Sequence, residues 1–351
     1  MNNLQVKVLM MGGRRCGKTS VLAAMKQNFD EQCEKMGLIA SYKDINTLDV
    51  LEEKREEIND YFRGSENRTF SPDSNPTEDM TTYSMSISFK DKRGEIDIEF
   101  TDFPGEWLST KNGTGYREKL VDLMKETQVI IVAIDTPHLM EEKGDYNEKR
   151  NLCHKTSEMI KHALEDLKDE PSYIKKMLLF VPLKCERYLN DGKMDEVCKK
   201  TEETYSSLIS YAQQYKMKYE VAVTPIFTLG GAEFSYFERD DETKRILLNK
   251  EYKTPEKAVY SFPDMSVRNP SPKYCEQPLI YLLAYLMFYA AGLEHIIYEG
   301  KNPWEKLGTK FLQWLRNEAN MDSLIEKLRD ISKYLKKTGD GYHIIQDPMK
   351  F

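Results

Sequence analysis

The fold of this chain is decided by a stretch near its start, Gly12-Gly13-Arg14-Arg15-Cys16-Gly17-Lys18-Thr19, which is followed by Ser20. The stretch has the pattern G-x-x-x-x-G-K-[ST] and stands between a short apolar run at 4–11 and a segment of helical character at 18–36. Glycines let the backbone turn tightly, so that successive N–H groups and the helix N-terminus point at phosphate oxygens. The pattern in this context predicts a phosphate-binding loop for a nucleoside triphosphate.

Individual residues of this loop have separate expected roles. Lys18 is predicted to reach the β- and γ-phosphates, and the Thr19 hydroxyl to bind Mg²⁺. Either Arg14 or Arg15 supplies positive charge in the transition state, as an arginine finger does, or both point outward to solvent or to a carboxylate; we favour the second interpretation. Cys16 is either a thiol with a lowered pKa near a helix N-terminus or simply a small residue that fits the loop.

The composition narrows the class of protein. The chain has 351 residues, of which 40% are apolar and 31% charged, and a net charge of −7. This charge gives no indication of nucleic-acid binding. The six cysteines show no C-x-x-C spacing, which is typical of reduced thiols and predicts a cytoplasmic protein. The longest apolar run, 279–293, is shorter than the roughly 20 residues of a membrane span, so we expect no such span.

Strand and helix patterns alternate along the chain, which predicts an α/β fold with a mostly parallel sheet covered by helices on both faces. Strands are predicted at about 4–11, 83–89, 96–100, 129–134, 177–181 and 221–227, with the second and third forming a hairpin. Helices are predicted at about 18–36, 46–64, 149–168, 193–216 and 275–297. We therefore expect one domain over 1–298, with insertions at about 37–65 and 232–273, and a C-terminal helical extension over 299–351.

A second motif, Thr101-Asp102-Phe103-Pro104-Gly105-Glu106-Trp107, follows the predicted hairpin directly. An aspartate at the end of this strand can hold the hydration shell of Mg²⁺ opposite the phosphate loop. A glycine three residues later allows a backbone N–H to approach the γ-phosphate and so to sense its presence. The motif predicts a metal-binding role for Asp102 and a phosphate-sensing role for Gly105.

The order of phosphate loop, long loop, hairpin, D-x-P-G motif and apolar strand resembles the Ras-like P-loop NTPase fold of the TRAFAC class. Within that class, Asp102-Phe103-Pro104-Gly105-Glu106-Trp107-Leu108 resembles the D-[YF]-P-G-E-W-L signature of the bacterial YcjX-type and double-GTPase families. The resemblance covers about residues 4–298. It implies a GTPase that binds GTP or GDP together with Mg²⁺.

The resemblance also implies a threonine in the first switch loop that binds Mg²⁺ and the γ-phosphate. Thr77, in Asn75-Pro76-Thr77 shortly before the hairpin, is our choice. Thr81, Thr82 and, less well placed, Thr69 are the competitors.

Guanine recognition is implied at two further places. Leu183-Lys184-Cys185-Glu186 stands where the family has [NT]-K-x-D, with Glu186 in place of aspartate and Leu183 departing from the pattern. A carboxylate can accept hydrogen bonds from N1–H and N2–H₂ of guanine, and the Lys184 stem can lie across the base. Thr228-Leu229-Gly230-Gly231 fits the loop whose backbone contacts guanine O6.

The residue after D-x-x-G often positions the attacking water in Ras-like enzymes. Here it is Glu106, which either orients water or docks the switch segment against the body of the domain; we slightly favour docking. The residues predicted to act in catalysis are Lys18, Thr77, Gly105 and Glu106, and those predicted to bind the metal are Thr19, Thr77 and Asp102. The residues predicted to bind the nucleotide are Gly12, Gly13, Arg14, Arg15, Cys16, Gly17, Lys18, Thr19, Ser20, Lys184, Glu186, Leu229 and Gly230.

Together these features predict a GTP-binding switch with slow Mg²⁺-dependent hydrolysis. Its output is a change in the loops near Thr77 and Gly105, read by an effector or regulator protein. Two alternatives stay open: a P-loop ATPase or kinase, and a nucleotide-binding scaffold without turnover. The sequence does not indicate the oligomeric state.

Overall fold

The computed structural model describes residues 4–35, 38–64, 69–71, 79–89, 95–108, 114–169, 176–216, 218–264, 266–267, 269–283 and 343–346. The strands are β1 (Leu4–Met11), β2 (Leu38–Tyr42), β3 (Thr69–Phe70), β4 (Thr81–Phe89), β5 (Glu95–Asp102), β6 (Val129–Asp135), β7 (Lys176–Leu183), β8 (Tyr219–Val223), β9 (Glu233–Phe237), β10 (Ala258–Ser261) and β11 (His343–Gln346). The helices are α1 (Lys18–Lys35), α2 (Ile45–Gly64), α3 (Thr114–Glu126), α4 (Thr136–Met140), α5 (Asn147–Asn151), α6 (Cys153–Glu165), α7 (Glu186–Asn190), α8 (Met194–Thr204) and α9 (Ser206–Gln214). Residues 277–283 are also helical.

A central sheet of eight strands has the order β11-β8-β7-β6-β1-β5-β4-β2. Its five middle strands, from β8 to β5, run parallel to one another. The hairpin partner β4 and the two edge strands β2 and β11 are antiparallel to their neighbours. The α/β fold with a mostly parallel sheet, predicted from the alternation of strand and helix patterns, is thus confirmed.

Apolar cores cover both faces of this sheet because successive strand residues point to opposite sides. In β1, Val8 and Met10 belong to the core on one face, whereas Leu9 and Met11 belong to the core on the other. Strands β6 and β7 are buried along their whole length. Burial on both faces explains why their sequences are continuous apolar runs.

A second, smaller sheet has the order β3-β10-β9, and its strands β9 and β10 lie within the insertion at 232–273. Its strands are antiparallel, and β3, from the segment that precedes the β4 hairpin, pairs with β10 of the later insertion. Aromatic side chains from α2 and from this sheet form a separate core, which includes Phe62, Phe70, Phe234, Tyr260 and Phe262. We call β3, β9, β10 and the chain between β9 and β10 the insertion sheet.

Several element boundaries differ from the sequence prediction. The predicted helix at 193–216 is divided into α8 and α9 at Tyr205, whose ring is buried and lies 4.8 Å from that of Phe180. The first insertion begins with the edge strand β2 before its helix, and in the predicted C-terminal extension the strand β11 pairs with β8. Apart from β11, the C-terminal helical extension predicted over 299–351 and the end of the helix predicted at 275–297 fall outside the described residues. None of the helices in the described part of the chain is long and apolar enough to cross a membrane.

Candidate functional site

Residues 12–17 form a tight loop between β1 and α1, and Lys18 and Thr19 begin the helix. Gly17 has a φ of +108°, a conformation that side chains other than hydrogen rarely allow. The Lys18 Nζ lies over this loop and donates to the carbonyl oxygens of Gly12 and Gly13, at 3.3 and 3.5 Å. The loop therefore surrounds the ammonium group that the sequence assigns to phosphate binding.

Asp102 stands at the end of β5 and contacts both polar residues at the start of α1. Its Oδ1 lies 3.6 Å from Lys18 Nζ, and its Oδ2 accepts a hydrogen bond of 2.9 Å from the Thr19 hydroxyl. Burial raises the pKa of Asp102, although Lys18 and Thr19 act against this. Burial by itself would lower the pKa of Lys18, but the charges of Asp102 and Cys16 and a hydrogen bond to Asp102 together outweigh it, so the pKa is raised. The two motifs found in the sequence thus meet at one buried ion pair.

Gly105 lies directly against the phosphate loop. A Cβ atom at this position would stand 2.3 Å from the Arg14 nitrogen and 2.5 Å from the Gly13 carbonyl carbon, so only glycine allows this approach. The next residue, Glu106, forms an ion pair of 2.7 Å with Arg14 Nη1. Arg14 therefore points to a carboxylate, and Glu106 contacts the loop through its side chain.

The remaining loop residues face other partners. Cys16 is fully buried, and this burial raises the pKa of its thiol, against the effect of Lys18 and Lys184. The hypothesis of a thiol with a lowered pKa is therefore wrong, because desolvation outweighs the neighbouring positive charges. Arg15 has a φ of +58°, and its carbonyl oxygen accepts a hydrogen bond of 3.0 Å from Arg150 Nη2.

The residues predicted to recognise guanine also meet. Glu186 is buried, and its Oε1 accepts hydrogen bonds from the backbone N–H groups of Leu229, at 2.6 Å, and Gly230, at 3.0 Å. Burial raises the pKa of Glu186 to about 7, although these N–H groups act in the opposite direction. Its Oε2 is buried and has no hydrogen-bond partner among the described residues. Glu186 thus joins the two predicted base-recognition segments through its own side chain.

Sequence reasoning missed a charged network beneath Lys184. Lys184 Nζ lies 2.8 Å from Asp135 Oδ2, and the other oxygen of this buried carboxylate lies 2.7 Å from His138 Nδ1. Arg150 Nε is 3.6 Å from Asp135. Burial by itself would raise the pKa of Asp135, but His138, Lys184 and Arg150 together hold it well below its ordinary value. The position of Asp135 at the end of the apolar run 129–134 is the signal that could have revealed it.

A cavity of about 370 Å³ connects the two halves of the site. The phosphate loop, α2, the charged network and the base-recognition loop all contribute to its wall, as does the insertion sheet. Of the predicted nucleotide-binding residues, the wall contains Arg15, Gly17, Ser20, Lys184 and Leu229. The cavity extends from the start of α1 to the loop at 228–229, so it joins the segments predicted to bind the phosphates and the base.

The structure thus brings most of the predicted site residues together, and their roles stay predictions. Thr77 lies outside the described residues. Its competitor Thr81 pairs with Asp102 in the backbone register of β4 and β5, while the side chains of Thr82 and Thr69 are exposed.

A family model described as Double-GTPase 2 matches residues 8–207, more than half of the 351 residues. The matched range contains the phosphate loop, the D-x-P-G motif and the Lys184 segment. No curated protein matches the chain.

Among solved structures, the chain is similar to the S. cerevisiae Ski7 GTPase-like domain bound to GDP and inorganic phosphate. The two share 13% identity and a TM-score of 0.35, and the match covers 85% of this chain and 52% of that chain. It is also similar to Methanosarcina barkeri Roco2 RocCORdC bound to GDP, with 12% identity and a TM-score of 0.29 over 99% of this chain and 74% of that chain. The chain spans about half the length of the Ski7 structure. At these TM-scores, the fold rests on the observed sheet order and not on the likeness.

Proposed function

The chain belongs to the Double-GTPase 2 family, and from that premise we propose that it is a guanine-nucleotide switch that hydrolyses GTP slowly with Mg²⁺. The observation that carries the proposal is the meeting of Lys18, Thr19 and Asp102 at the mouth of the phosphate loop. Phosphoryl transfer in P-loop proteins requires a cation that binds the phosphate oxygens. It also requires a hydroxyl and a carboxylate that bind the metal.

The donor set at this place fits Mg²⁺. Oxygen ligands are those that Mg²⁺ prefers, and Asp102 Oδ1 is buried without a hydrogen-bond partner in the described part of the chain. Thr19 and Asp102 would hold the ion or its bound water, together with Thr77 from the switch loop. When bound, Mg²⁺ neutralises charge that develops on the phosphate oxygens. Lys18 supplies a second positive charge from the protein itself.

Guanine selection is assigned to Lys184, Glu186 and the backbone at Leu229 and Gly230. Asp135 fixes the end of the Lys184 side chain, so its stem has a defined direction beside the cavity. Glu186 Oε1 accepts hydrogen bonds from the loop backbone. Its Oε2 has no hydrogen-bond partner among the described residues, so we assign Oε2 as the acceptor for the N–H groups of guanine.

The switch itself is assigned to the segments at Thr77 and Gly105. Gly105 packs on the phosphate loop so closely that a change at the γ-phosphate would displace it. A protein effector or regulator would read that displacement. Hydrolysis is expected to be slow without a partner because the carboxylate of Glu106 is repelled by an anionic phosphate, an effect that Arg14 only partly offsets. A cytoplasmic location, inferred from the reduced cysteines, belongs to the same proposal.

The proposal is tested by competitive binding of GDP, GTP, ADP and ATP to the purified protein with Mg²⁺, beside the Lys18→Ala variant. Guanine preference that is lost in the variant supports the switch. Phosphate release from bound GTP, measured in a single turnover, separates a GTPase from a scaffold without turnover. Equal or tighter binding of ATP would favour the second candidate, a P-loop ATPase, for which the engagement of Glu186 Oε1 by the loop backbone is the supporting observation.

A further inference from the structure

The phosphate loop, the segment after Asp102 and the insertion sheet meet at one guanidinium group. Arg14 Nη1 lies 2.7 Å from Glu106 Oε1 and donates a hydrogen bond of 2.6 Å to the Tyr252 hydroxyl. The centre of the guanidinium also lies 5.3 Å from the centre of the Tyr252 ring. Both side chains of the ion pair are 30% exposed, so the contact is partly shielded from water.

Tyr252 is held in place by its own turn. The side-chain oxygen of Asn249 accepts hydrogen bonds from the backbone N–H groups of Glu251, at 2.9 Å, and Tyr252, at 3.0 Å. The Asn249 N–H donates to the Thr254 carbonyl oxygen at 2.8 Å, which closes the turn. Because this turn fixes the backbone of Tyr252, little further backbone entropy is lost when its hydroxyl accepts a hydrogen bond from Arg14.

The other partner of Arg14, Glu106, belongs to the helical turn Gly105–Leu108, whose backbone is held in place by its own contacts. Gly105 packs on the Arg14 backbone, and the Trp107 N–H donates to the Pro104 carbonyl oxygen at 2.9 Å, within the helical turn Gly105–Leu108. Holding the Glu106 carboxylate therefore also holds the Gly105 backbone at the phosphate loop.

We propose that Tyr252 is a positioning residue for GTP hydrolysis, which acts through Arg14 to hold Glu106 and Gly105 at the face of the phosphate loop. The inference rests on the proposed function, because the segment after D-x-x-G is where Ras-like enzymes place the attacking water. Arg14 supplies the positive charge that a carboxylate needs beside an anionic phosphate. Tyr252, from a part of the chain far from either motif, fixes the direction of that charge.

The first test is Tyr252→Phe, which removes the hydroxyl and keeps the ring. Since a hydrogen bond to a charged group is lost, we expect the single-turnover rate of GTP hydrolysis to fall about three- to tenfold, with GDP and GTP affinity unchanged. Tyr236→Phe, in the same insertion sheet with a half-exposed ring, is the matched control and should keep the wild-type rate. An unchanged or faster rate in Tyr252→Phe would overturn the inference.

The second test asks whether Tyr252 acts through Arg14. In a double-mutant cycle, Tyr252→Phe should have no further effect on the rate once Arg14 is alanine. A loss in the Arg14→Ala background as large as in wild type would show an independent structural role and would also overturn the inference.

A third readout does not depend on turnover. Hydrogen exchange of the nucleotide-free protein should become faster at residues 105–108 in Tyr252→Phe, and should remain unchanged there in Tyr236→Phe. If the exchange rate at residues 105–108 is unchanged in Tyr252→Phe, the inference is overturned, regardless of which nucleotide the protein hydrolyses. Failure of wild type to prefer guanine nucleotides would count against the proposed function, and this exchange measurement would still decide whether Tyr252 holds the segment.

Discussion

The Glu186 carboxylate accepts a hydrogen bond of 2.6 Å from the backbone N–H of Leu229, 43 positions further along the chain. The same oxygen also accepts the N–H of Gly230. The Glu186 side chain therefore shapes the loop at Leu229 and Gly230, and both are proposed to bind guanine.

Glu186→Gln is expected to remove guanine preference. An amide offers one acceptor where the carboxylate offers two, and it carries no charge to attract the N–H groups of guanine. We expect GDP affinity to fall about tenfold or more, with little change for ADP, in a competition assay. Glu256 lines the cavity beside the site, as Lys184 does, and Glu256→Gln is the control that should keep the preference. Equal losses for GDP and ADP would mean that Glu186 only shapes the loop.

The raised pKa of Glu186 predicts a pH dependence of stability. Its pKa is about 7 in the folded protein, against an ordinary value of 4.5, because burial disfavours the charged form. Between these values the folded state binds more protons than the unfolded state, so this group's contribution to the free energy of unfolding decreases as the pH rises from about 4.5 to 7. The decrease is of the order of 3 kcal/mol, at about 1.4 kcal/mol per pKa unit.

Urea unfolding of the wild type and of Glu186→Gln, without nucleotide, measures this contribution as the difference between the two proteins. Wild type should lose stability relative to the variant as the pH rises through this range. A difference that does not vary with pH would contradict the raised pKa.

Lys18→Ala is expected to affect binding and stability separately. The variant loses its contact with phosphate, so GTP and GDP affinity should fall by at least about 100-fold. It also leaves the buried Asp102 without its cation, which should lower the free energy of unfolding by about 3 kcal/mol. Adding Asp102→Asn should restore stability in a denaturant titration, while binding stays lost. Recovery of binding in the double variant would contradict the assigned role of Lys18.

Gly105→Ala is expected to force the segment after Asp102 away from the phosphate loop. The added Cβ would meet backbone atoms of Gly13 and Arg14, which cannot move aside as a flexible side chain can. We expect GTP hydrolysis to be lost and the free energy of unfolding to fall by about 1–3 kcal/mol. Gly115→Ala in α3 is the matched control, because among the described residues its added Cβ has no atom within 4 Å beyond the chain neighbours and the backbone of its own helix. Retained hydrolysis in Gly105→Ala would argue against this close approach.

Asp135→Asn is expected to destabilise the whole nucleotide site. The substitution removes the carboxylate that contacts both Lys184 and Arg150, so the two positive charges are no longer neutralised. His138 also loses its charged partner. We expect the free energy of unfolding to fall by about 3 kcal/mol and GDP affinity to fall with it. Asp145→Asn, at an exposed position, serves as the control in the same urea titration. If both variants unfold alike, the network contributes little.

Prediction from the sequence succeeded where the signal is local. The apolar runs at 129–134 and 177–181 correspond to β6 and β7 because strands buried on both faces need apolar residues at every position. Sequence-based prediction failed for β2, because this strand is short and its alternation of buried and exposed residues covers only five positions. It also failed for the insertion sheet, in which β3 and β10 pair across nearly 200 positions. Pairing between distant segments leaves no periodic pattern in either of them.

The sequence by itself determined the phosphate loop, the D-x-P-G motif and the positions of the central strands along the chain, because glycine conformations and apolar periodicity act within a few residues. Only the tertiary structure decided that Asp135 holds Lys184, that Glu186 turns to the loop at Leu229, and that Tyr252 reaches Arg14 across 238 positions. Contacts of this kind depend on which surfaces the folded chain brings within hydrogen-bond distance. That proximity is a property of the packed structure as a whole and not of any one segment.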